Sequence, residues 1–403
     1  MQALKKTAKF IFKKSSRWMV PWEAQRETFR DLVHGLQEDP GSDRAVEACL
    51  KWILLAQKNS ASADGGVARH YSLVTGWAAS YPETTGYIIP TLLEHAKRRN
   101  CPQLAEAARR MMDWLISIQM PDGAFRGSHM HSAVVAPVVF DTGQILQGLA
   151  AAAAAFGEPY MTSMHRAAQW LMSVQDADGA WRHPNPFATP GDHVWETHVA
   201  WGLLEASRVS GEASYGEAGL RNIRWAISHQ KENGWYHNCG LGGDEESPLT
   251  HTIAYTLRGI LEGYRFSGDP ALLAAAVQTA DALLTTLTPE GALPGRLDAN
   301  WKSAVPWICL TGLSQTAICW LMLYQDTGRT EYLKAAEMAN QYVRRTLHVG
   351  DGDSPLSGGV KGSLPVSGDY CRFQLINWAC KFLIDACTLE GDIKNVSPSP
   401  SKT

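Results

Sequence analysis

No Cys-x-x-Cys pair occurs among the eight cysteines, at 49, 101, 239, 309, 319, 371, 380 and 387. That removes the usual thiol-redox and zinc-ribbon spacings. Trp307-Ile-Cys309 and Trp378-Ala-Cys380 put cysteines into apolar helical stretches, where a reduced, buried thiol is expected. No run approaches the roughly 18 apolar residues that span a bilayer. The first twenty residues lack the apolar core of about 7 to 15 residues that defines a signal peptide, so a cytoplasmic location is expected. An excess of one charge is missing too. Against 40 Asp and Glu stand 37 Lys and Arg, and a net charge of -3 gives no electrostatic case for nucleic acid. Strand signals are scarce, and neither a metal nor a cofactor site is expected.

What is present is a repeat. Gln119-Met-Pro-Asp-Gly123-Ala-Phe-Arg126, Gln175-Asp-Ala-Asp-Gly179-Ala-Trp-Arg182 and Gln230-Lys-Glu-Asn-Gly234-Trp-Tyr-His237 are its clearest copies. Weaker ones contain Gly65 and Arg69, Gly291 and Arg296, and the glycine-rich Gly350 to Lys361. The glycines at 65, 123, 179, 234, 291 and 350 are 58, 56, 55, 57 and 59 residues apart. A period of this length means one domain of like units. Before each turn the chain is amphipathic with helical spacing, as in Ala107, Ala108, Met111, Trp114, Leu115 and Ile118. After it the chain is apolar nearly all round, as in Val199 to Ala206. A half-exposed helix followed by a buried one predicts an all-α chain of six helical hairpins, an (α/α)6 toroid over residues 45–390. Residues 1–44 read as a basic leader and a lead-in helix, and 391–403 as a disordered tail. Lys5, Lys6, Lys9, Lys13 and Lys14 beside Phe10, Ile11 and Phe12 suit peripheral contact with an anionic inner membrane through residues 1–20.

The Gln-x-x-Asp-Gly-x-Trp turns resemble those of the squalene cyclase and prenyltransferase toroid superfamily. The stretch Ser80-Tyr-Pro-Glu-Thr-Thr-Gly-Tyr-Ile-Ile-Pro90 resembles toroid proteins associated with bacterial exopolysaccharide biosynthesis. The first resemblance implies the fold, which also carries glycoside hydrolases, lyases and sugar epimerases; the second points to sugar polymers. Departures from the superfamily matter. The Asp-x-Asp-Asp motif of terpenoid cyclases is missing, and no histidine follows Asp369-Tyr-Cys371 to complete a prenyltransferase zinc site.

Aligning the starts of the inner helices places Glu83, Asp141, Glu196, His251, Gln315 and Arg372 at corresponding positions. Carboxylates at a shared site push their pKa values apart, giving one base and one acid. The expected catalytic set is Asp141 and Glu196 as acid/base pair, assisted by Glu83 and His251. Capping is the competing account: Ser80-x-x-Glu83 reads as a capping box, Asp141 as an N-cap and Glu196 as a first-turn acid. A second, basic ring of Arg69, Arg126, Arg182, His237, Arg296 and Lys361 follows the turns. With Tyr71, Trp195, Gln315 and Arg372 it is expected to bind an acidic oligo- or polysaccharide or a lipid-linked glycan. Trp77, Trp181, Trp235, Trp301 and Trp307 are further candidates for stacking on sugar rings. The expected function is a carbohydrate-active enzyme of hydrolase, lyase or uronate epimerase type. A non-catalytic glycan or lipid-intermediate binder, or a terpenoid cyclase or prenyltransferase, is the alternative.

Overall fold

The computed structural model describes residues 20–350 and 352–396. Nearly all of the basic segment expected to touch a membrane (1–19) and the end of the Ser-Pro tail lie outside the described residues. After a lead-in helix α1 (Trp22–Val33), outer and inner helices alternate. They run α2 (Ser42–Lys58) and α3 (Pro82–Arg98), α4 (Pro102–Ile118) and α5 (Val139–Phe156), and α6 (Tyr160–Ser173) and α7 (Thr197–Ser210). The ring continues with α8 (Ala213–Ile227) and α9 (Thr250–Ser267), α10 (Pro270–Leu284) and α11 (Leu310–Thr327), and α12 (Thr330–Arg344) and α13 (Asn377–Val396). The six inner helices pack side by side around one axis, which closes an (α/α)6 toroid.

Two boundaries differ from expectation. The ring begins at Ser42 rather than residue 45, and α13 runs six residues past 390 because Lys394 pairs with Glu390 at 2.6 Å and Glu337 at 3.0 Å. The pairing of helices also differs. Turns of two or three residues join each inner helix to the outer helix that follows it, so the tight hairpins are α3–α4, α5–α6 and so on. The glycine turns belong to the long connections from outer to inner helix, gathered at the end where inner helices begin. The first outer helix, α2, packs on the last inner helix, α13, and this contact closes the circle. Short strands seal the same joint: β1 (His70–Ser72) pairs with β2 (Gly76–Trp77) and, across the chain, with β5 (Gln374–Ile376). A further pair joins β3 (Ile308–Cys309) to β4 (Ser363–Leu364).

The repeat motif has a mechanical explanation. Gln119 donates to the carbonyls of Gly123 at 2.9 Å and Ser163 at 3.0 Å; Gln175 does the same to Gly179 and Ala218, both at 3.0 Å. Each glutamine therefore stitches its own turn to the next outer helix, with a net worth of about 1 kcal/mol per bond. The turn glycine packs on a backbone carbonyl of that helix: Gly123 on Arg166, Gly179 on Arg221, Gly234 on Gln278, Gly291 on Met338. Gly350, expected as the sixth copy, has open space where a Cβ would stand; Gly358 takes that place, against the Ala48 carbonyl of α2. Gly358 also has φ +80°, a conformation that costs a side chain about 1–2 kcal/mol. Gly358→Ala is therefore expected to lose about 3 kcal/mol or more, since the Ala48 carbonyl and the positive φ both resist the added methyl. Gly350→Ala is expected to be neutral, and urea unfolding of the two variants separates them.

Inner helices approach closely where the candidate acids sit. A Cβ on Gly86 would lie 2.5 Å from the Ile145 Cα. Pro90 has no N–H for the Gly86 carbonyl, and Gly148 lies on that carbonyl, where a side chain would collide. Glu83, in the first turn of α3, is thus carried next to Asp141, in the first turn of α5.

Candidate active site

A cavity of about 300 Å³ opens at the end of the toroid where the inner helices start. Glu83, Asp141, His251, Arg69 and Trp195 all line it. Neither acid is a cap. Helix α3 starts from Tyr81 with no side-chain cap, and the Ser80 hydroxyl bonds Ser60 at 2.7 Å and Asp64 at 2.6 Å instead. Helix α5 starts from Val138, and Asp141 accepts the Ser128 N–H at 3.2 Å from the connection above it.

Burial pushes the Glu83 carboxyl up to about 7, against the opposing pull of the Tyr81 hydroxyl and the Arg69 charge. Burial also raises Asp141 well above the carboxylate range, and the charge of Glu83 adds to the rise. Glu83 therefore ionises first while Asp141 keeps its proton. The cavity thus receives a base and an acid from neighbouring inner helices.

His251, on α9, is held at about 4 by burial, although its bond to Gln315 raises it. It is neutral at pH 7. Its Nδ1 lies 2.6 Å from Gln315 Oε1, so Nδ1–H donates and Nε2 is left as an acceptor. Arg69 lines the same cavity, 5.1 Å from the Trp378 ring and 5.7 Å from the Tyr81 ring, and its charge acts on Glu83. Among the described residues it has no salt-bridged carboxylate; its side-chain partners are His70 and Gln374. A guanidinium beside two aromatic rings, with no salt-bridged carboxylate among the described residues, is a seat for an anionic group.

The rest of the expected set is elsewhere, for identifiable reasons. Glu196 does not reach the cavity. A 3₁₀ turn at Val194–Glu196 precedes α7 and rotates the register, so Trp195 faces inward, its indole N–H donating to the Gly240 carbonyl at 2.9 Å. Glu196 is buried outside the wall, raised by burial and by the charges of Asp192 and Asp176. The basic ring is a set of clamps, Arg69 and His237 excepted. Arg126 binds the carbonyls of Ser132 at 3.1 Å and Val134 at 3.3 Å in its own connection. Arg182 is shared by Asp176, Asp178 and Asp192 at 2.6–2.9 Å. Arg296 pairs with Asp244, and Lys361 pairs with Glu27 and Asp31. His237 is exposed and off the cavity. Gln315 lies a turn and a half into α11 and serves His251 rather than the cavity. Arg372 precedes α13 by five residues and stacks outward on Phe373 at 4.8 Å. Tyr71 packs edge-on against Trp77 at 5.1 Å. Trp181, Trp235 and Trp307 are core residues, and like Trp77 and Trp301 they do not line the cavity.

In their place the wall holds Phe140, Tyr87, Tyr255, Tyr370 and Trp378. Tyr87 and Tyr255 were legible: each lies four residues after a candidate, Glu83 and His251, hence one turn deeper on the same face. Phe187 and Leu241, from the long connections, carried no signal. A larger hollow of about 470 Å³ lies at the other mouth, but its cations Lys381, Arg258 and Arg265 are paired with Asp385 at 2.6 Å, Glu262 at 2.8 Å and Asp326 at 3.0 Å.

Fold and cavity together define an (α/α)6 toroid with an acid pair at the start of its inner helices. Residues 41–258, just over half of the chain, match the squalene-hopene cyclase C-terminal domain family, and the chain belongs to that family. No curated protein matches it. Among solved structures it is similar to an unsaturated glucuronyl hydrolase from Bacillus sp. GL1, described as responsible for the degradation of glycosaminoglycan. That likeness has 15% identity and TM-score 0.68 over 86% of this chain and 96% of the other. It is similar also to the cellobiose 2-epimerase of Bacillus thermoamylovorans, at 11% identity and TM-score 0.69 over 92% and 99%. A third is a variant unsaturated glucuronyl hydrolase from Streptococcus agalactiae in complex with dGlcA-GalNAc6S, at 12% identity and TM-score 0.64 over 90% and 94%. At these identities the likeness is one of fold.

Proposed function

We propose that the protein is a carbohydrate-active enzyme acting on an acidic glycan, polymeric or lipid-linked, in cytoplasmic steps of cell-surface polysaccharide synthesis. The carrying observation is the shared cavity: the neighbouring carboxyls of Glu83 and Asp141 face a space that Arg69 also lines. Structural neighbours that include a complex with an acidic disaccharide support the reading, as does the resemblance of Ser80 to Pro90 to exopolysaccharide-associated toroids.

In the hydrolytic form, Arg69 receives the anionic group and Trp195 and Phe140 flank the sugar. Asp141 gives its proton to the glycosidic oxygen as the bond from that oxygen to the anomeric carbon breaks. Glu83 takes a proton from the water whose oxygen bonds to that carbon. Solvent exchange then returns the proton from Glu83 to Asp141.

His251 supports a second form. A neutral imidazole with Nε2 free is a base for a carbon-bound proton, and with an acid opposite it would invert a uronate centre. Mass spectrometry of acidic oligosaccharides incubated with the protein in heavy water separates the cases. Cleavage with one solvent oxygen gained is expected; deuterium on carbon without cleavage assigns the epimerase. Binding without any change of mass in the whole panel would make the protein a glycan binder and sink the catalytic reading.

A further inference from the structure

Helix α1 is inside out. Its buried residues are Ala24 and Glu27, the half-buried Asp31 turns its carboxylate inward beside them, and both acids clamp the buried Lys361, Glu27 at 2.6 Å. Glu27 also holds His348 at 2.7 Å, and Asp31 accepts the Val366 N–H at 2.8 Å. The solvent face carries Trp22, Phe29, Leu32 and Val33, exposed at 72%, 61%, 64% and 58%. Trp22, Phe29 and Val33 are spaced i, i+7 and i+11, a single stripe along the helix, and the exposed Arg26 lies on it. A helix seated on a soluble protein does the reverse, turning its apolar stripe inward. Here ion pairs do the seating and leave the apolar stripe outward. A patch of this kind marks an interaction surface.

The neighbouring sequence indicates what covers it. Residues 1–19 contain Lys5, Lys6, Lys9, Lys13, Lys14 and Arg17 and no acid, in a chain whose net charge is -3. Basic residues joined to an exposed apolar helical stripe are the two signals that together hold a protein on an anionic bilayer. Helix α1 is also fixed to the connection 348–373, and that connection supplies Tyr370 to the cavity wall. Helix α1 therefore sits on a connection that also reaches the cavity wall.

We infer that α1 docks the protein on an anionic membrane surface through Trp22, Phe29, Leu32 and Val33. The inference is independent of which reaction the cavity performs. Flotation of the full chain with vesicles tests it, using phosphatidylcholine alone and phosphatidylcholine with about 30 mol% phosphatidylglycerol. Binding to the anionic vesicles is expected, weakened by added salt. Phe29→Glu with Val33→Glu, two exposed positions whose change leaves circular dichroism unaltered, is expected to weaken binding at least about tenfold. Failure of the wild-type chain to float with either vesicle, or equal binding by the double variant, overturns the inference. A concentration-dependent dimer abolished by the same two changes, without flotation, also overturns it and assigns the face to a second copy. Turnover of a water-soluble acidic oligosaccharide, followed in parallel, is expected to be the same in both proteins, so loss of docking and loss of catalysis are read separately.

Discussion

Glu83→Gln and Asp141→Asn are each expected to lower turnover on the order of 10³-fold, within the range that general acid or base catalysis contributes. The double variant is expected to be little worse than either single one, because acid and base act as a unit. Glu196→Gln, outside the cavity, is expected to leave turnover near wild type, the reverse of what the aligned helix starts suggest. The pH profile carries the same ordering. The base must be ionised, so kcat/KM is expected to rise through about pH 7, the region to which burial pushes Glu83. It falls again only where Asp141 loses a proton that burial and the charge of Glu83 both hold in place.

A stability change of opposite sign accompanies the lost activity. A carboxyl raised from 4.5 to about 7 binds its proton more tightly in the folded chain. Its contribution is complete below about pH 4.5 and is lost as pH rises through 7, worth about 3 kcal/mol over that interval. A glutamine at position 83 has no proton to lose. Glu83→Gln is thus expected to melt about 3 °C above the wild type at pH 8 and level with it at pH 4.5. A cap would behave differently: losing it costs stability at both pH values and leaves turnover alone.

The toroid was legible because its signal is repeated: Gln119 and Gln175, with the glycines four residues on, report the same inter-repeat stitch. Gly350 was misplaced for the same reason. Extrapolating a period near 57 residues passes over the longer last connection, where Gly358 meets α2. The acids could be located but not their directions. Glu83, Asp141 and Glu196 look alike in sequence, and only the 3₁₀ turn before α7 turns Trp195 inward instead of Glu196. Charge was the least legible property. An arginine after a turn reads as available, yet Asp192, distant by ten residues, helps to neutralise Arg182, and carbonyls six and eight residues on occupy Arg126.

Arg69→Ala is expected to raise KM for an acidic oligosaccharide about 10- to 150-fold while sparing a neutral analogue, the span that a hydrogen-bonded charge contributes. Arg126 and Arg182 cannot replace it, because each is already consumed by its own connection. Lysine is not expected to restore binding. The guanidinium lies over the Trp378 and Tyr81 rings, and an ammonium neither stacks as well nor presents two parallel N–H donors to a carboxylate. A purely structural arginine would also raise KM if the wall collapsed, so a second readout is needed. Arg69 lowers the pKa of Glu83 by its charge. Removing that charge is expected to move the rising limb of kcat/KM to higher pH in the alanine variant and to leave it in place in the lysine variant. A variant that loses affinity with the limb unmoved would put Arg69 in the wall of the cavity but not in electrostatic contact with its base.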